Sequence, residues 1–170
     1  MAMKIIRTIF LMLCTAMILQ SCIVSSGKAN MTYFSDSGKE FKGAKFTSIN
    51  VPMFLAKPVI KKALREDGED HEDLIRIIKK VSKIKVLTVE NGDKTMLREF
   101  ASYLNDNNYE DWATIMHDGD RINIRVKQNG EAIKNMLITV NSKKELLFVD
   151  VKGNFTPGDI SKMIASASDK

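Results

Sequence analysis

Cysteine is nearly missing from this chain, with Cys14 and Cys22 the only two in 170 residues. That excludes a multi-disulfide scaffold and a zinc site built on thiolates. Histidine is as scarce: His71 and His117 are the only side chains expected to titrate near neutrality. G-x-S-x-G, a Walker lysine loop and H-E-x-x-H are all lacking. No catalytic residue, no cofactor and no metal are therefore expected. Long apolar runs are lacking too. A helix that crosses a bilayer needs about 20 apolar residues, and the run from Thr8 to Leu19 has twelve.

What that short run does carry is an address. Lys4 and Arg7 precede it, and Leu19-Gln20-Ser21-Cys22 closes it. A basic start, a short apolar centre and a small residue at the end are the three parts of a secretory signal. The closing tetrapeptide resembles a bacterial lipobox, with an aliphatic residue three before the cysteine and a small one directly before it. By that resemblance Cys22 takes a diacylglycerol as a thioether, cleavage falls between Ser21 and Cys22, and the freed amine is acylated. One acyl chain holds a protein to a membrane only marginally, at about 0.8 kcal/mol per buried CH₂, whereas two or more hold it stably. Cys14 is a poorer candidate because Leu13 before it is large and the apolar centre would be halved.

Loss of residues 1–21 would remove Lys4 and Arg7 and bring the net charge from +5 to about +3. So mild a balance gives no reason to expect nucleic acid as a partner. With Cys14 removed and Cys22 lipidated, no thiol would remain, and the domain would hold together by its core alone. The segment 22–40 is rich in Ser, Gly and Lys and reads as a lipidated cysteine followed by a flexible tether. Its adjacent Tyr33 and Phe34 are the exception, since paired aromatics in a tether often dock on the domain. A globular domain is expected over 41–166, with a tail at 167–170.

Within the domain, Phe46 to Val51 alternates like a strand. Pro52 then opens a segment with helical spacing at Phe54, Leu55, Val59, Ile60 and Leu64, and Pro58 inside it should kink or split that helix. A second helix places Leu74, Ile75, Ile78 and Val81 on one face, with acid at its start and base at its end, as the helix dipole favours. Ile84 to Val89 reads as a strand and Asn91-Gly92 as a turn. Asp93 can cap a third helix carrying Met96, Leu97, Phe100 and Leu104. From Tyr109 to Val151 four strand-like runs are separated by turn residues, a meander of antiparallel hairpins. A last helix starts at Thr156, with Pro157 in its first turn and Ile160, Met163 and Ile164 on one side.

A two-residue turn at Asp118-Gly119 fixes a register for the first hairpin. His117 then faces Asp120, Ile115 faces Ile122, Ala113 faces Ile124 and Asp111 faces Val126. The opposite face would pair Met116 with Arg121, Thr114 with Asn123 and Trp112 with Arg125, and would add Lys127. Trp112, Met116, Arg121, Arg125 and Lys127 thus form the candidate partner-binding face, where guanidinium and indole can stack. In the next hairpin a strict register would put Ile133 opposite Val126 and Asn135 opposite Ile124. A bulge is therefore expected near Lys134 and Asn135, after which Met136, Ile138 and Val140 turn inward. His117-Asp118-Gly119-Asp120 reads as a hairpin turn rather than a metal half-site. The carboxylates between Glu66 and Asp73 lack the ligand spacing of a calcium loop and read as a solvated loop.

The layout as a whole is similar to a known family. The lipobox, F-T-S-I-N-V-P-M-F, K-V-L-T-V-E, N-Y-E-D-W-A-T-I-M-H-D-G-D-R-I-N-I-R-V-K and L-L-F-V-D-V-K-G-N-F resemble the Bacteroidetes domain of unknown function 4252, over roughly Phe41 to Ile164. The resemblance implies a small envelope lipoprotein without established activity, often encoded beside extracytoplasmic sigma factors. Ile23 stands where an Asp would mark inner-membrane retention, which favours the outer membrane. No acidic cluster follows Cys22, which by comparison with surface-displayed lipoproteins favours a domain facing the periplasm.

These readings converge on an α+β domain: one mostly antiparallel sheet of five or six strands, ending in a four-strand meander, with three to four helices on one face. The expected role is a non-catalytic binding or sensory module, held to the membrane by acyl chains on Cys22 and engaging an envelope protein or glycan. A periplasmic hydrolase using carboxylates such as Glu110 and Asp111, or a self-associating scaffold, is the alternative.

Overall fold

The computed structural model describes residues 24–36, 41–66 and 71–168. Seven strands form one open antiparallel sheet. They are β1 (Val24–Ser26), β2 (Lys45–Val51), β3 (Val81–Glu90), β4 (Glu110–His117), β5 (Asp120–Asn129), β6 (Ala132–Asn141) and β7 (Glu145–Phe155), in the spatial order β1-β2-β3-β7-β6-β5-β4. Among the described residues five helices accompany them: α1 (Thr32–Asp36), α2 (Met53–Glu66), α3 (Glu72–Lys80), α4 (Lys94–Asp106) and α5 (Pro157–Ser168). The class and the C-terminal meander match the sequence reading. Strands and helices are both more numerous than expected, and the helices lie on both faces of the sheet rather than one.

Two apolar faces explain the two helix layers. Along β3 and β7 the side chains alternate, but both sets are apolar. Leu87, Val89, Leu146 and Phe148 point one way, while Ile84, Val149 and Val151 point the other. A strand that is apolar on both sides has to be covered on both sides. The first face is covered by α1 and α4 through Tyr33, Phe34, Met96, Phe100 and Leu104. The second is covered by α2, α3 and α5 through Met53, Ile77 and Ile160.

The largest departure from expectation is the segment read as a tether. Val24–Ser26 pairs with β2 as an edge strand, Val24 opposite Ile49. Tyr33 and Phe34 are 6% and 8% exposed, so their docking on the domain, noted as the exception, is what sets the boundary. Their rings meet Phe41, Phe46, Phe100, Tyr103 and Phe148 at centroid separations of 4.9 to 6.2 Å. Asn30 ties the same segment down by donating from Nδ2 to the Ile49 and Val86 carbonyls.

Caps and turns follow the sequence. Asp93 accepts a hydrogen bond from the Met96 N–H at 2.7 Å and starts α4. At α5, the Thr156 hydroxyl accepts from the Asp159 N–H, and Asp159 Oδ2 accepts from the Thr156 N–H at 2.7 Å, a reciprocal box. Asp118 and Gly119 both have positive φ, as a tight two-residue hairpin requires. Pro58 does not split α2, which runs unbroken from Met53 to Glu66. Pro58 is exposed, so the Phe54 carbonyl that it leaves unpaired lies on the water side of the helix.

Two bulges shape the meander, and only the one near Lys134 and Asn135 was expected. Residues Ala113 to Asp120 keep the predicted register, with His117 opposite Asp120, Ile115 opposite Ile122 and Ala113 opposite Ile124. Beyond Ala113 the register slips: Asp111, not Trp112, lies opposite Arg125, and Glu110 rather than Asp111 lies opposite Val126. In the second hairpin the bulge falls at Lys134 as expected, and Met136, Ile138 and Val140 pair with Val126, Ile124 and Ile122. Ile133, however, lies opposite Gln128.

Candidate functional site

The first core cluster draws side chains from β3, β7 and β6, but none from β5 or β4. The sheet therefore extends past its helical cover. On this overhanging flank the side chains of β5 are Arg121, Asn123, Arg125 and Lys127, set across from Asn141, Thr139, Leu137 and Asn135 of β6. On the other side β4 contributes Met116 opposite Arg121 and Thr114 opposite Asn123. The result is a polar, basic strip beside α4.

Where the strip meets α4 there is an open groove of about 360 Å³. Its helix wall is formed by Leu97, Ala101 and Leu104, with Arg98 beside them. Its sheet wall is formed by Arg121, Asn123, Thr139 and Asn141, and Arg125 lies at one side. An apolar wall facing a polar one, with one exposed guanidinium group on each side, Arg98 and Arg121, suits a ligand that has both an apolar body and a negative charge.

Arg125 does a different job from Arg98 and Arg121. Its Nε and Nη2 donate to the two Asp111 carboxylate oxygens at 2.5 and 3.1 Å, and its Nη1 donates to the Ala101 carbonyl at 3.0 Å and Asn105 Oδ1 at 3.2 Å. All three nitrogens are engaged, and the side chain is only 14% exposed. Arg125 clamps α4 to β5 and so sets the width of the groove. Lys127 lies over the Tyr109 ring at 5.7 Å from its centroid. Burial, with Asp150 nearby, pushes the Tyr109 hydroxyl up to about 12.

Four of the five residues predicted for the partner-binding face are together: Met116, Arg121, Arg125 and Lys127 share one side of the sheet. Trp112 is the correction. The β4 bulge at Trp112 turns the indole to the second core cluster, on the other side of the sheet from Arg125. No guanidinium–indole stack forms there. Arg98 and the Leu97, Ala101 and Leu104 wall were missed. Their i, i+4, i+7 spacing was the available signal, since it continues the core stripe of α4 round toward one flank.

The other candidates fall apart or stay outside. Glu110 and Asp111 are exposed at the start of β4, and Asp111 is tied to Arg125. His117 faces Asp118 at 3.4 Å within the hairpin turn. Among the described residues, no group of three or more His, Cys, Asp or Glu side chains could hold a metal ion. Ser21 and Cys22, and positions 67–70 of the acidic stretch, lie outside the described residues. No helix among the described residues is long and apolar enough to cross a membrane.

The profile of one family, a domain of unknown function (DUF4252), matches residues 39–163. The chain belongs to the DUF4252 family. The match runs from before β2 into the first half of α5, includes α4, β5 and β6 around the groove, and leaves β1 and α1 outside it. Neither a curated protein nor a solved structure matches the chain.

Proposed function

We propose that this DUF4252 chain is an envelope lipoprotein, anchored through acyl chains on Cys22 and facing the periplasm. In this reading it binds a small anionic amphiphile in the groove beside α4. The observation that carries it is the opposition of Leu97, Ala101 and Leu104 to Arg121 and Asn123 across one open cleft, with Arg98 at the rim of the helix wall. Arg125 supports the reading because its hydrogen bonds to the Ala101 carbonyl and Asn105 Oδ1 join the two walls, while Asp111 holds the rest of the guanidinium in place before any ligand arrives. The anchor is argued from Lys4, Arg7 and the Leu19-Gln20-Ser21-Cys22 motif.

The binding test uses dodecanoate as an anionic probe and dodecyl maltoside as a neutral one, followed by amide shifts in nuclear magnetic resonance. Dodecanoate is expected to shift Leu97, Ala101, Asn123 and Thr139, and the double variant Arg98→Ala/Arg121→Ala to weaken it about tenfold or more. Equal binding of both probes, or shifts elsewhere only, would overturn the groove as a binding site. For the anchor, mass spectrometry of protein taken from membranes should find a diacylglycerol adduct on Cys22, and a bare thiol there would remove it.

A further inference from the structure

Helix α2 turns its most apolar residues outward. Phe54 is 77% exposed, Val59 68% and Leu55 54%, while Met53 of the same helix is buried. Sequence spacing had grouped Phe54, Leu55 and Val59 with Ile60 and Leu64 as one core stripe, yet only Ile60 and Leu64 turn partly inward. The outer face of α2 is also divided along its length. Its first two turns carry Phe54, Leu55, Pro58 and Val59, and its last turns carry Lys61, Lys62 and Arg65 together with Glu66, whose carboxylate lies 3.8 Å from the Lys62 ammonium. Three large exposed apolar groups in six residues, followed by a collar of three bases and one acid, is the pattern of a helix that lies in a membrane interface beside anionic headgroups.

The position of this helix in the fold bears on what it meets. Val24 pairs with Ile49 in the antiparallel β1–β2 ladder, so the chain before Val24 approaches the same end of the sheet at which β2 leaves for α2. Cys22 stands two positions before Val24, at most about 7 Å of extended chain. Phe54 stands five positions after Ile49, at most about 17 Å of chain. Because the expected tether is instead sheet and docked helix, an acylated Cys22 would bring the α2 end of the domain against the bilayer surface. Val24 itself is apolar and 47% exposed at that end.

We infer that α2 is a membrane-seating helix: Phe54, Leu55 and Val59 enter the interfacial layer of the bilayer in which Cys22 is anchored, and Lys61, Lys62 and Arg65 engage its anionic headgroups. The seat rests on the lipoprotein reading for its location, but its affinity for lipid is a property of the helix alone. It fixes one orientation of the domain on the membrane.

The experiment uses vesicles of phosphatidylethanolamine and phosphatidylglycerol at three to one, with phosphatidylcholine vesicles as the neutral control. First, a fluorophore at position 55 of the lipidated chain is read against bromolipids. Quenching from shallow bromine positions is expected, with none for a fluorophore at position 144 in the β6–β7 turn. Second, the chain with Cys22→Ser is floated with and without Phe54→Ser/Leu55→Ser/Val59→Ser. The intact helix is expected to bind the anionic vesicles, and the triple variant at least tenfold more weakly. The single variant Phe54→Asp, whose site is largely solvent, serves as the second reading if the triple variant is unfolded by circular dichroism. A lipidated chain that floats but shows no quenching at position 55 overturns the seat and leaves the anchor standing. An unlipidated natural chain whose α2 still binds vesicles does the reverse. Self-association through α2, seen as a dimer that Phe54→Asp dissolves with no vesicle binding, also overturns it.

Discussion

Single side chains decide how far the groove is built before it meets a ligand. Arg125 holds a carboxylate with two nitrogens and two helix acceptors with the third. Only a planar fork can meet that geometry, so Arg125→Lys should behave nearly as badly as Arg125→Ala. Each is expected to lower stability by about 2 kcal/mol, the usual size for hydrogen bonds to a charged group, measured by urea denaturation. Asp159 is a second such point. Burial pushes its carboxyl up, but hydrogen bonds from Lys80 and Thr156 outweigh that and hold it below its ordinary value. A carboxyl lowered in the fold stabilises above the unfolded value of about 3.9, and that contribution is lost as pH falls through the folded value. The stability gap between the natural chain and Asp159→Asn should therefore be constant from pH 6 to 8 and shrink below pH 4. A gap unchanged at pH 3 would contradict this. Trp112 shows the limit of residue-level reading: period-two alternation holds in β4 only as far back as Ala113, and the one sign of the inserted residue was the charged Asp111 that a strict register set opposite the core residue Val126.

At the scale of elements, amphipathic spacing located the helices but not always the side they bury. Helix α4 has one stripe and one cap, and both lie where the pattern put them. Helix α2 has apolar residues around most of its first two turns, and spacing alone then has no preferred direction. The face that Met53 buries against the second cluster is set by β3 and by α3. Helix α1 is the opposite case, a five-residue element too short to declare itself by period. Its place comes from burial of Tyr33 and Phe34 among aromatic neighbours. Phe34→Ala is accordingly expected to cost about 3 to 4 kcal/mol, the range for removing a buried phenylalanine. Urea melts would show no change if 22–40 were a free tether.

The whole molecule is a sheet with two cores that share β3 and β7. Because each helix layer packs on the same strands, loosening one face removes support from the other. The chain should therefore unfold in one transition. Trp112, the single tryptophan, lies against the second cluster and reports on that face, whereas Phe34 belongs to the first. The Phe34→Ala variant is expected to shift Trp112 fluorescence and far-ultraviolet circular dichroism to the same lower urea midpoint. Two separate midpoints would mean that the faces melt independently.

Local chemistry was enough for much of this protein. The α+β class, the meander, the capped α4, the hairpin turn at Asp118-Gly119 and the bulge at Lys134 each follow from a short stretch of residues whose spacing or backbone preference acts over one turn or one strand. The basic character of the β5 flank is legible for the same reason, since Arg121, Arg125 and Lys127 alternate along a single strand. What remained for the folded chain to decide were matters between distant segments: helices on both faces, the docking of residues 24–36, Trp112 turned away from Arg125, Arg98 brought to the groove and Phe54 turned outward. Each of these depends on which surface arrives opposite, and no window of sequence contains both partners.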